Sequence, residues 1–139
     1  MLAKLRFLVL VLFTLFLFCC KKDIAKQYTG NYYFTTTVSW WNGLGQSADS
    51  TISYYGSIKA DSKTTLTIEF GPNSNTNLFN YGTIHPTIDN NGNLSYQEWL
   101  DDGHKSFSGS FNENGYLNIT MATHYLEGGG DNKIHGVKY

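Results

Sequence analysis

The sequence predicts an all-β domain, a small antiparallel up-and-down barrel of about eight strands. From Gly30 onward, apolar and polar residues alternate with a period of two, which is typical of strands with one buried face. Short clusters of glycine, asparagine, aspartate and serine separate these segments, as tight turns between antiparallel neighbours do. No segment after Gly30 carries the apolar stripe of an amphipathic helix.

Residues 1–19 precede this domain and have the features of a secretory signal peptide. Lys4 and Arg6 form a short cationic region, and an almost unbroken apolar run follows over residues 7–18. The run is too short and wrongly flanked for a membrane-spanning helix. We therefore expect it to direct export and then to be removed.

A cysteine pair ends the apolar run, and Leu17-Phe18-Cys19-Cys20 resembles the lipobox of bacterial lipoproteins. The resemblance implies cleavage before Cys20 and attachment of acyl chains such as palmitate to that residue. More than one chain anchors a protein firmly in a bilayer. We expect an envelope lipoprotein in the outer membrane, on its periplasmic side or at the cell surface. The alternatives are an ordinary cleaved signal and an uncleaved anchor.

Cleavage before Cys20 leaves 120 residues, enough for one domain with one modest core. Residues 20–27 are polar and aperiodic, which predicts a tether, and residues 28–139 form the predicted barrel domain. Both cysteines of the chain lie at the processing site, so we expect no disulfide in the domain. Its core and its backbone hydrogen bonds must hold it together.

Three strands are predicted most clearly, because their apolar residues share one face. These residues are Tyr32, Phe34, Val38 and Trp40 in the first, Ile52, Tyr54, Gly56 and Ile58 in the second, and Leu66, Ile68 and Phe70 in the third. β-branched and aromatic residues dominate all three segments, as is usual in strands.

Five weaker segments complete the predicted set of strands. They are Asn77 to Ile88, Asn93 to Trp99, Lys105 to Phe111, Tyr116 to Tyr125, and Asn132 to Tyr139. Turn-forming sequences separate the segments. They are Asp61 to Lys63, Gly71 to Asn73, Asn90 to Gly92, Asp101 to Gly103, Asn112 to Gly115, and Gly128 to Asp131.

Glycines lie in phase with the core-facing residues of three segments: Gly56, Gly109 and Gly136. Glycine weakens a strand interior and often marks a sharp bend or a close approach of backbones. Three such positions favour a tightly curved barrel, with an open β-sandwich as the alternative.

Four short motifs resemble the small lipoproteins with lipocalin-like domains found in Gram-negative bacteria of the Bacteroidetes type. They are the Cys20-Lys21-Lys22-Asp23 start, the opening Tyr28-Thr29-Gly30-Asn31-Tyr32, the hairpin from Thr87 to Leu94, and the final Ile134-x-Gly136-x-Lys138. In the opening, Gly30-x-Tyr32 is similar to the Gly-x-Trp start of lipocalins. The resemblance implies a lipocalin-like barrel and supports a fold more than a function.

The charge balance argues against a nucleic-acid partner. Loss of Lys4 and Arg6 with the signal leaves eight basic residues against 11 acidic ones, a net charge of −3, and no arginine. Nucleic-acid recognition depends on basic clusters and on the guanidinium group, and this domain has neither.

One stretch nearly matches a calcium-binding EF-hand loop, running from Thr87 to Glu98. Its first position holds threonine in place of a carboxylate, and Gly82 and Pro86 oppose the entering helix that such a site requires. The preferred interpretation is a hairpin in which Asn91-Gly92 forms the turn.

No metal, cofactor or catalytic centre is expected. The four histidines, His85, His104, His124 and His135, lack the spacing of metal ligands. No nucleophile or phosphate-binding motif is present, and the adjacent Asp101 and Asp102 fit a turn. We therefore expect no enzyme, and a small hydrolase ranks last among the hypotheses.

Aromatic residues give the candidate binding site. Tyr33, Trp41 and Tyr55 lie out of phase with the core, and Tyr81 and Trp99 resemble them. Because Trp40 and Trp41 are adjacent in a strand, they point to opposite faces. The candidate ligand-binding residues are Trp40, Trp41, Tyr54, Tyr55 and Trp99. Alternatively, these rings only stabilise the sheet through cross-strand pairs.

The leading hypothesis is a non-enzymatic, membrane-tethered module that binds a small apolar or glycan ligand in or at the mouth of the barrel. The alternative is a structural or protein-interaction lipoprotein with a filled barrel, since inward side chains often fill eight-stranded barrels. An open interior lined by Trp40 and Tyr54 favours the first hypothesis. A filled interior with an external aromatic patch favours the second.

Overall fold

The structure is a computed structural model that describes residues 23–71, 82–100, 103–125 and 128–139. It does not describe the side chains of Trp99, Leu100 and Tyr125. Several sequence-based predictions fall outside these residues. They are the signal peptide, the lipidation site Cys20, Tyr81, the pair Asp101-Asp102, and the part of the fourth predicted strand before Gly82.

The described residues form one short 3₁₀ helix, Ala25–Tyr28, and nine strands. The strands are β1 Gly30–Asn42, β2 Ser47–Ala60, β3 Leu66–Phe70, β4 Thr83–Ile84, β5 Thr87–Ile88, β6 Asn93–Leu100, β7 Gly103–Phe111, β8 Leu117–Tyr125 and β9 Gly128–Lys138. All belong to one sheet with the order β4-β3-β2-β1-β9-β8-β7-β6-β5, and every neighbouring pair is antiparallel. The predicted all-β, antiparallel, barrel-like fold is confirmed.

The order of the strands is the cyclic order of an up-and-down barrel that is cut between β4 and β5. The cut is partly bridged at one end. Leu66 N–H donates to the Pro86 carbonyl at 3.0 Å, and Ile88 N–H donates to the Thr64 carbonyl at 2.9 Å. The segment that joins β4 to β5 therefore contacts β3 while β5 pairs with β6. The curled sheet is closed at this end.

Two predicted boundaries are wrong. The fourth predicted strand contains two short strands, β4 and β5, separated at Pro86, whose ring nitrogen has no hydrogen to donate to a ladder. The glycine-rich stretch Gly128 to Asp131 is not a turn, because it lies inside β9 and pairs with both β1 and β8. Its backbone groups continue the ladder although three of its residues have no side chain.

One end of the barrel, which we call the base, is covered by the N-terminal segment. Ile24 and Ala25 are buried in the core, and Tyr28 stacks on Phe111 with ring centroids 4.0 Å apart. Tyr32 Oη donates to the Tyr28 carbonyl at 2.9 Å. The folded part of the chain thus begins before residue 28, within the segment predicted as a tether. The opposite end, where β1 turns into β2, we call the mouth.

The inner side chains form rows that run across the sheet, and the rows near the base are filled with apolar groups. The row of Phe34 consists of Tyr54, Gly136, Leu117 and Phe111. Each of these residues except the glycine contributes a buried side chain to one continuous core. This half of the barrel is solid.

Phe34 occupies the centre of this row because two glycines leave room for its ring. A Cβ atom on Gly56 would lie 2.8 Å from the ring, and one on Gly136 would lie 2.9 Å from it. Both distances are closer than real Cβ atoms approach other atoms. The inward glycines of the sequence therefore allow β2 and β9 to curl around a large aromatic side chain.

We expect Gly136→Ala to lower the free energy of unfolding by about 1–3 kcal/mol, because the new methyl group overpacks against Phe34. In a Phe34→Leu background the same substitution should cost much less, since the smaller side chain vacates that space. Urea unfolding of the four proteins measures the coupling. An equal cost in both backgrounds would show that the Phe34 ring is not the reason for glycine at this position.

Three hairpins have the same type of turn, in which an Asn or Asp side chain accepts hydrogen bonds from the backbone. Asn42, Asp89 and Asn112 each accept hydrogen bonds through Oδ1 from the N–H groups two and four residues later, at 2.8–3.1 Å. In each turn the residue three positions later is a glycine with φ between 77° and 80°. The preferred hairpin interpretation of the EF-hand-like stretch agrees with this geometry.

In the turn at Asp89, the side chain and backbone N–H of Asn93 hold the pKa of the carboxyl group below its usual value. A lowered folded pKa stabilises the fold above the unfolded pKa of about 4, and this stability is lost as the pH falls through the folded value. Asp89→Asn should keep the turn, because asparagine serves the other two hairpins, and should lose this share of the acid sensitivity.

The urea midpoint measured at pH 7 and pH 3 tests this expectation. We expect a smaller difference between the two pH values for Asp89→Asn than for the wild type. Some dependence should remain, because hydrogen bonds from Thr67 and Lys59 also lower the pKa values of Asp61 and Glu69, respectively. Asp49→Asn removes the same charge from an exposed strand position and serves as the control. If Asp89→Asn showed the same difference in urea midpoint between pH 7 and pH 3 as the wild type, Asp89 would not contribute to the acid sensitivity.

Candidate binding site at the mouth of the barrel

The inner face of the sheet changes from apolar to polar toward the mouth. The row above Thr36 consists of Val38, Asn132, Met121, Phe107 and Tyr96. The next row consists of Trp40, Gly130, Thr123, Lys105 and Glu98. Charged groups and further hydrogen-bonding groups thus enter an interior that nearer the base is mostly apolar, apart from tyrosine hydroxyls and Thr36. We call these two rows the mouth site.

Two side chains of the mouth site carry buried polar atoms without hydrogen-bond partners. Asn132 has 0% of its surface exposed, and neither its Oδ1 nor its Nδ2 atom has a partner in the structure. The hydroxyl of Thr123, which is 1% exposed, also has none. An unpartnered buried polar group costs about 1–3 kcal/mol, so native proteins rarely retain one without a reason.

A nearby polar pair shows how the same interior can satisfy a hydroxyl. Thr36 is fully buried, and its Oγ1 atom lies 2.8 Å from the Tyr54 hydroxyl in a hydrogen bond. Burial raises the pKa of Tyr54 to about 12, which keeps the phenol neutral. Asn132, on the neighbouring strand β9, differs from Thr36 because its buried polar atoms have no such partner in the structure.

Strand β9 carries small residues on the mouth side of Asn132. Its inner positions run from Ile134 through Asn132 to Gly130 and Gly128, so the side chains become smaller and then disappear. Gly130 lies in the row of Trp40 and Thr123, one row closer to the mouth than Asn132. The glycine run that resembled a turn in the sequence therefore places no side chain between the amide and the mouth on this strand.

The far side of the mouth site carries an ion pair. Lys105 Nζ lies 3.7 Å from the Glu98 carboxylate, and the lysine side chain is only 19% exposed. The Tyr96 hydroxyl donates to the same carboxylate at 3.3 Å. Burial, with a smaller contribution from Glu98, raises the pKa of Tyr96. Because one positive and one negative group pair here, the site has no net charge.

The structure separates the residues that the sequence proposed for ligand binding. Trp40 lies on the inner face and is half-buried, whereas Tyr54 is buried deeper in the core. Trp41 and Tyr55 lie on the outer face, with 37% and 63% of their surfaces exposed. The backbone of Trp99 pairs with that of His104, and the Trp99 side chain is not among the groups that the structure describes. Of the five, Trp40 is placed in the mouth site.

Sequence reasoning did not identify Asn132 and Thr123. The signal was available for Thr123, because it continues the inward phase of Leu117, Ile119 and Met121. Asn132 is likewise in phase with Ile134, but a polar residue near a predicted strand end resembles an exposed turn. Only the pairing of β9 with strands on both sides places it inside.

Two groups of exposed rings lie on the outer face, apart from Tyr116, which lies beside His135 with ring centroids 5.7 Å apart. Trp41 packs near His124, which stacks on His104, with centroid distances of 5.9 and 5.1 Å. On another part of the wall, Tyr55 lies 5.2 Å from Tyr33 and 5.6 Å from Tyr139. We call the second group the tyrosine cluster.

An outer polar cluster combines residue types that occur in hydrolases, but its geometry differs from a nucleophilic triad. Thr67 Oγ1 donates to Asp61 at 2.5 Å and lies 2.9 Å from His85 Nδ1, which is 3.3 Å from the same carboxylate. The hydroxyl proton points to the carboxylate, and the imidazole does not lie between the other two groups as a general base would. The cluster links β3 to the preceding turn.

The described parts of the chain contain no group of three or more metal-ligating side chains. Among the same residues, none of the helical structure is long and apolar enough to cross a bilayer.

No protein-family model matches the chain, and no curated protein is similar to it.

We expect Asn132→Leu to raise the free energy of unfolding by about 1–3 kcal/mol, because it replaces an unpartnered amide by an apolar group of similar volume. Thr36→Val should have the opposite effect, since it removes the buried hydrogen bond between Thr36 and the Tyr54 hydroxyl. Urea unfolding of both variants tests the contrast. Destabilisation of Asn132→Leu to the same extent as Thr36→Val would show that the amide has a structural partner.

Proposed function

We propose that this protein is a non-enzymatic binding module, anchored to the bacterial outer membrane by a lipid on Cys20. Its ligand, a small apolar molecule or a glycan, occupies the mouth of the barrel. The observation that carries the proposal is the pair of buried side chains, Asn132 and Thr123, whose polar atoms have no hydrogen-bond partner in the part of the chain that the structure describes. A ligand that forms hydrogen bonds with those atoms removes the free-energy cost of leaving them buried and unpaired.

The placement of the N-terminus supports this arrangement. Asp23, the first described residue, lies at the base, three positions after the proposed lipid site. β1 has 13 residues, so its backbone runs about 40 Å from the base to the mouth at roughly 3.4 Å per residue, measured along the strand. A domain attached through its base presents its mouth away from the bilayer, where a soluble ligand can reach it.

Trp40 is the aromatic residue that we assign to the ligand. It shares the inner face with Thr123 and Asn132 and pairs with Gly130 across β1 and β9. A half-buried indole offers a flat apolar surface for stacking. Tyr54 supports the site from below, because its hydroxyl holds Thr36 in the adjoining row.

A second function, docking of a protein partner, is favoured by the tyrosine cluster. Tyr33, Tyr55 and Tyr139 expose 40%, 63% and 69% of their surfaces and contact one another on the outer wall. Tyrosine is enriched in protein interfaces because it joins a large apolar surface to a hydroxyl group. In this alternative the barrel is only a scaffold.

Native mass spectrometry of the protein purified from its own host tests the proposal, because both the acyl chains and a retained ligand add mass. Tryptophan fluorescence then locates the site during titration with a panel of glycans and lipids. We expect an emission change that persists in Trp41→Phe and disappears in Trp40→Phe.

The matched pair of variants separates the two functions. A response that persists in Trp40→Phe and disappears in Trp41→Phe would place the ligand on the outer wall. Absence of both a retained ligand and any fluorescence response would contradict a binding module and leave protein docking as the better explanation.

A further inference from the structure

We infer that the mouth site binds a neutral saccharide and that the Asn132 amide holds two neighbouring hydroxyl groups of the sugar. This inference rests on the proposed function and names its ligand class. It adds Asn132 and Thr123 as the residues that determine specificity.

The chemistry of the amide points to a ligand with a donor and an acceptor side by side. Asn132 offers an acceptor, Oδ1, and a donor, Nδ2, on one planar group, and both are unpartnered. A hydroxyl group can donate or accept, so of two neighbouring hydroxyls one donates to Oδ1 while the other accepts from Nδ2. The Thr123 hydroxyl, in the next row, provides a third hydrogen bond.

The surroundings exclude a charged ligand as the natural occupant. The strand neighbours of Asn132 are Val38 and Met121, both 1% exposed, so a charge at the amide would be buried among apolar groups. Such burial is expensive unless an opposite charge is present. Lys105 already contacts Glu98, and the mature domain has no arginine.

A purely apolar ligand fits less well than a sugar. It would leave the three polar atoms of Asn132 and Thr123 buried and unpartnered, and would recover none of their cost. Sites built around hydroxyl recognition reject analogues that lack the hydroxyl strongly, often by several orders of magnitude. The apolar C–H face of a sugar ring can nevertheless stack on Trp40, so one ligand uses both features.

Entry of the sugar requires a local rearrangement, since the polar atoms of Asn132 are shielded from water. The row above contains Gly130, which has no side chain to displace, and the half-buried Trp40. Movement of the indole toward the mouth opens a route to the amide. Binding is therefore coupled to a change in the environment of Trp40.

The test uses the full lipidated protein in detergent micelles and a panel of neutral oligosaccharides, including cellobiose, maltotriose and mannobiose. Each sugar has a permethylated counterpart, which keeps the ring and removes every hydroxyl donor, and cyclohexane serves as the uncharged apolar probe. Isothermal titration calorimetry measures the affinity. We expect at least one sugar to bind and its permethylated form to bind more weakly by about 100-fold or more.

Asn132→Leu should weaken binding of the same sugar by about 10-fold or more while the protein remains folded. The control is Asn118→Leu on the outer face of β8, where the amide oxygen contacts His135 and not the mouth site. We expect the control to leave the affinity unchanged. A circular dichroism spectrum and a melting curve for each variant separate lost binding from lost folding.

The outcomes distinguish this inference from the function on which it rests. Equal binding of a sugar and its permethylated form, unchanged affinity in Asn132→Leu, or binding of cyclohexane alone would overturn the saccharide inference and leave a binding module in place. No binding of any probe would overturn both.

Discussion

The packing of Phe34 between Gly56 and Gly136 is the constraint on which the rest of the structure depends. Phe34 lies in β1 at the centre of the sheet, and its ring occupies the space that side chains on β2 and β9 would otherwise fill. This arrangement lets the sheet curl around one buried aromatic ring and forms a solid core from Tyr54, Leu117 and their neighbours. A domain without disulfides needs such a core, because burial of apolar surface is its main source of stability.

The solid base explains how the mouth can tolerate polar groups that weaken the fold. Ile134 and Gly136 hold β9 in the core, and only one residue, Lys133, separates Ile134 from the unpartnered Asn132. Functional sites commonly depart from the arrangement that is best for stability, and the surrounding structure compensates. The same strand here serves both purposes, with its core residues near the base and its amide and glycines near the mouth.

The fold could be predicted from the sequence because the alternation of apolar and polar residues shows which residues of each strand face inward. Phe34, Tyr54, Ile68 and the inward glycines lie where the alternation places them. The predicted ends of strands were wrong where backbone pairing keeps residues in a strand although their composition is typical of a turn. Gly128 to Gly130 look like a turn, yet partners on both sides keep them in a strand.

The candidate site was less predictable, because it is defined by buried polar atoms that lack hydrogen-bond partners, and a sequence does not show which atoms find partners. The sequence singled out Trp40 by its position beside Trp41, and it separated the two rings correctly onto opposite faces. It could not show that Asn132 is buried, since that requires the register of β9 against β1 and β8. Nor could it show that Thr36 finds a hydrogen-bond partner while Thr123 does not.

The most direct test of this account is the NMR signal of the Asn132 side-chain amide, assigned by comparing ¹⁵N-labelled wild type with Asn132→Leu. In the free protein, the account predicts proton shifts typical of an amide without hydrogen bonds. Addition of the bound sugar should move these signals downfield and slow their exchange with water. Signals that already show a hydrogen-bonded amide, and that do not change when ligand is added, would contradict the central claim that Asn132 is kept unpaired for a ligand.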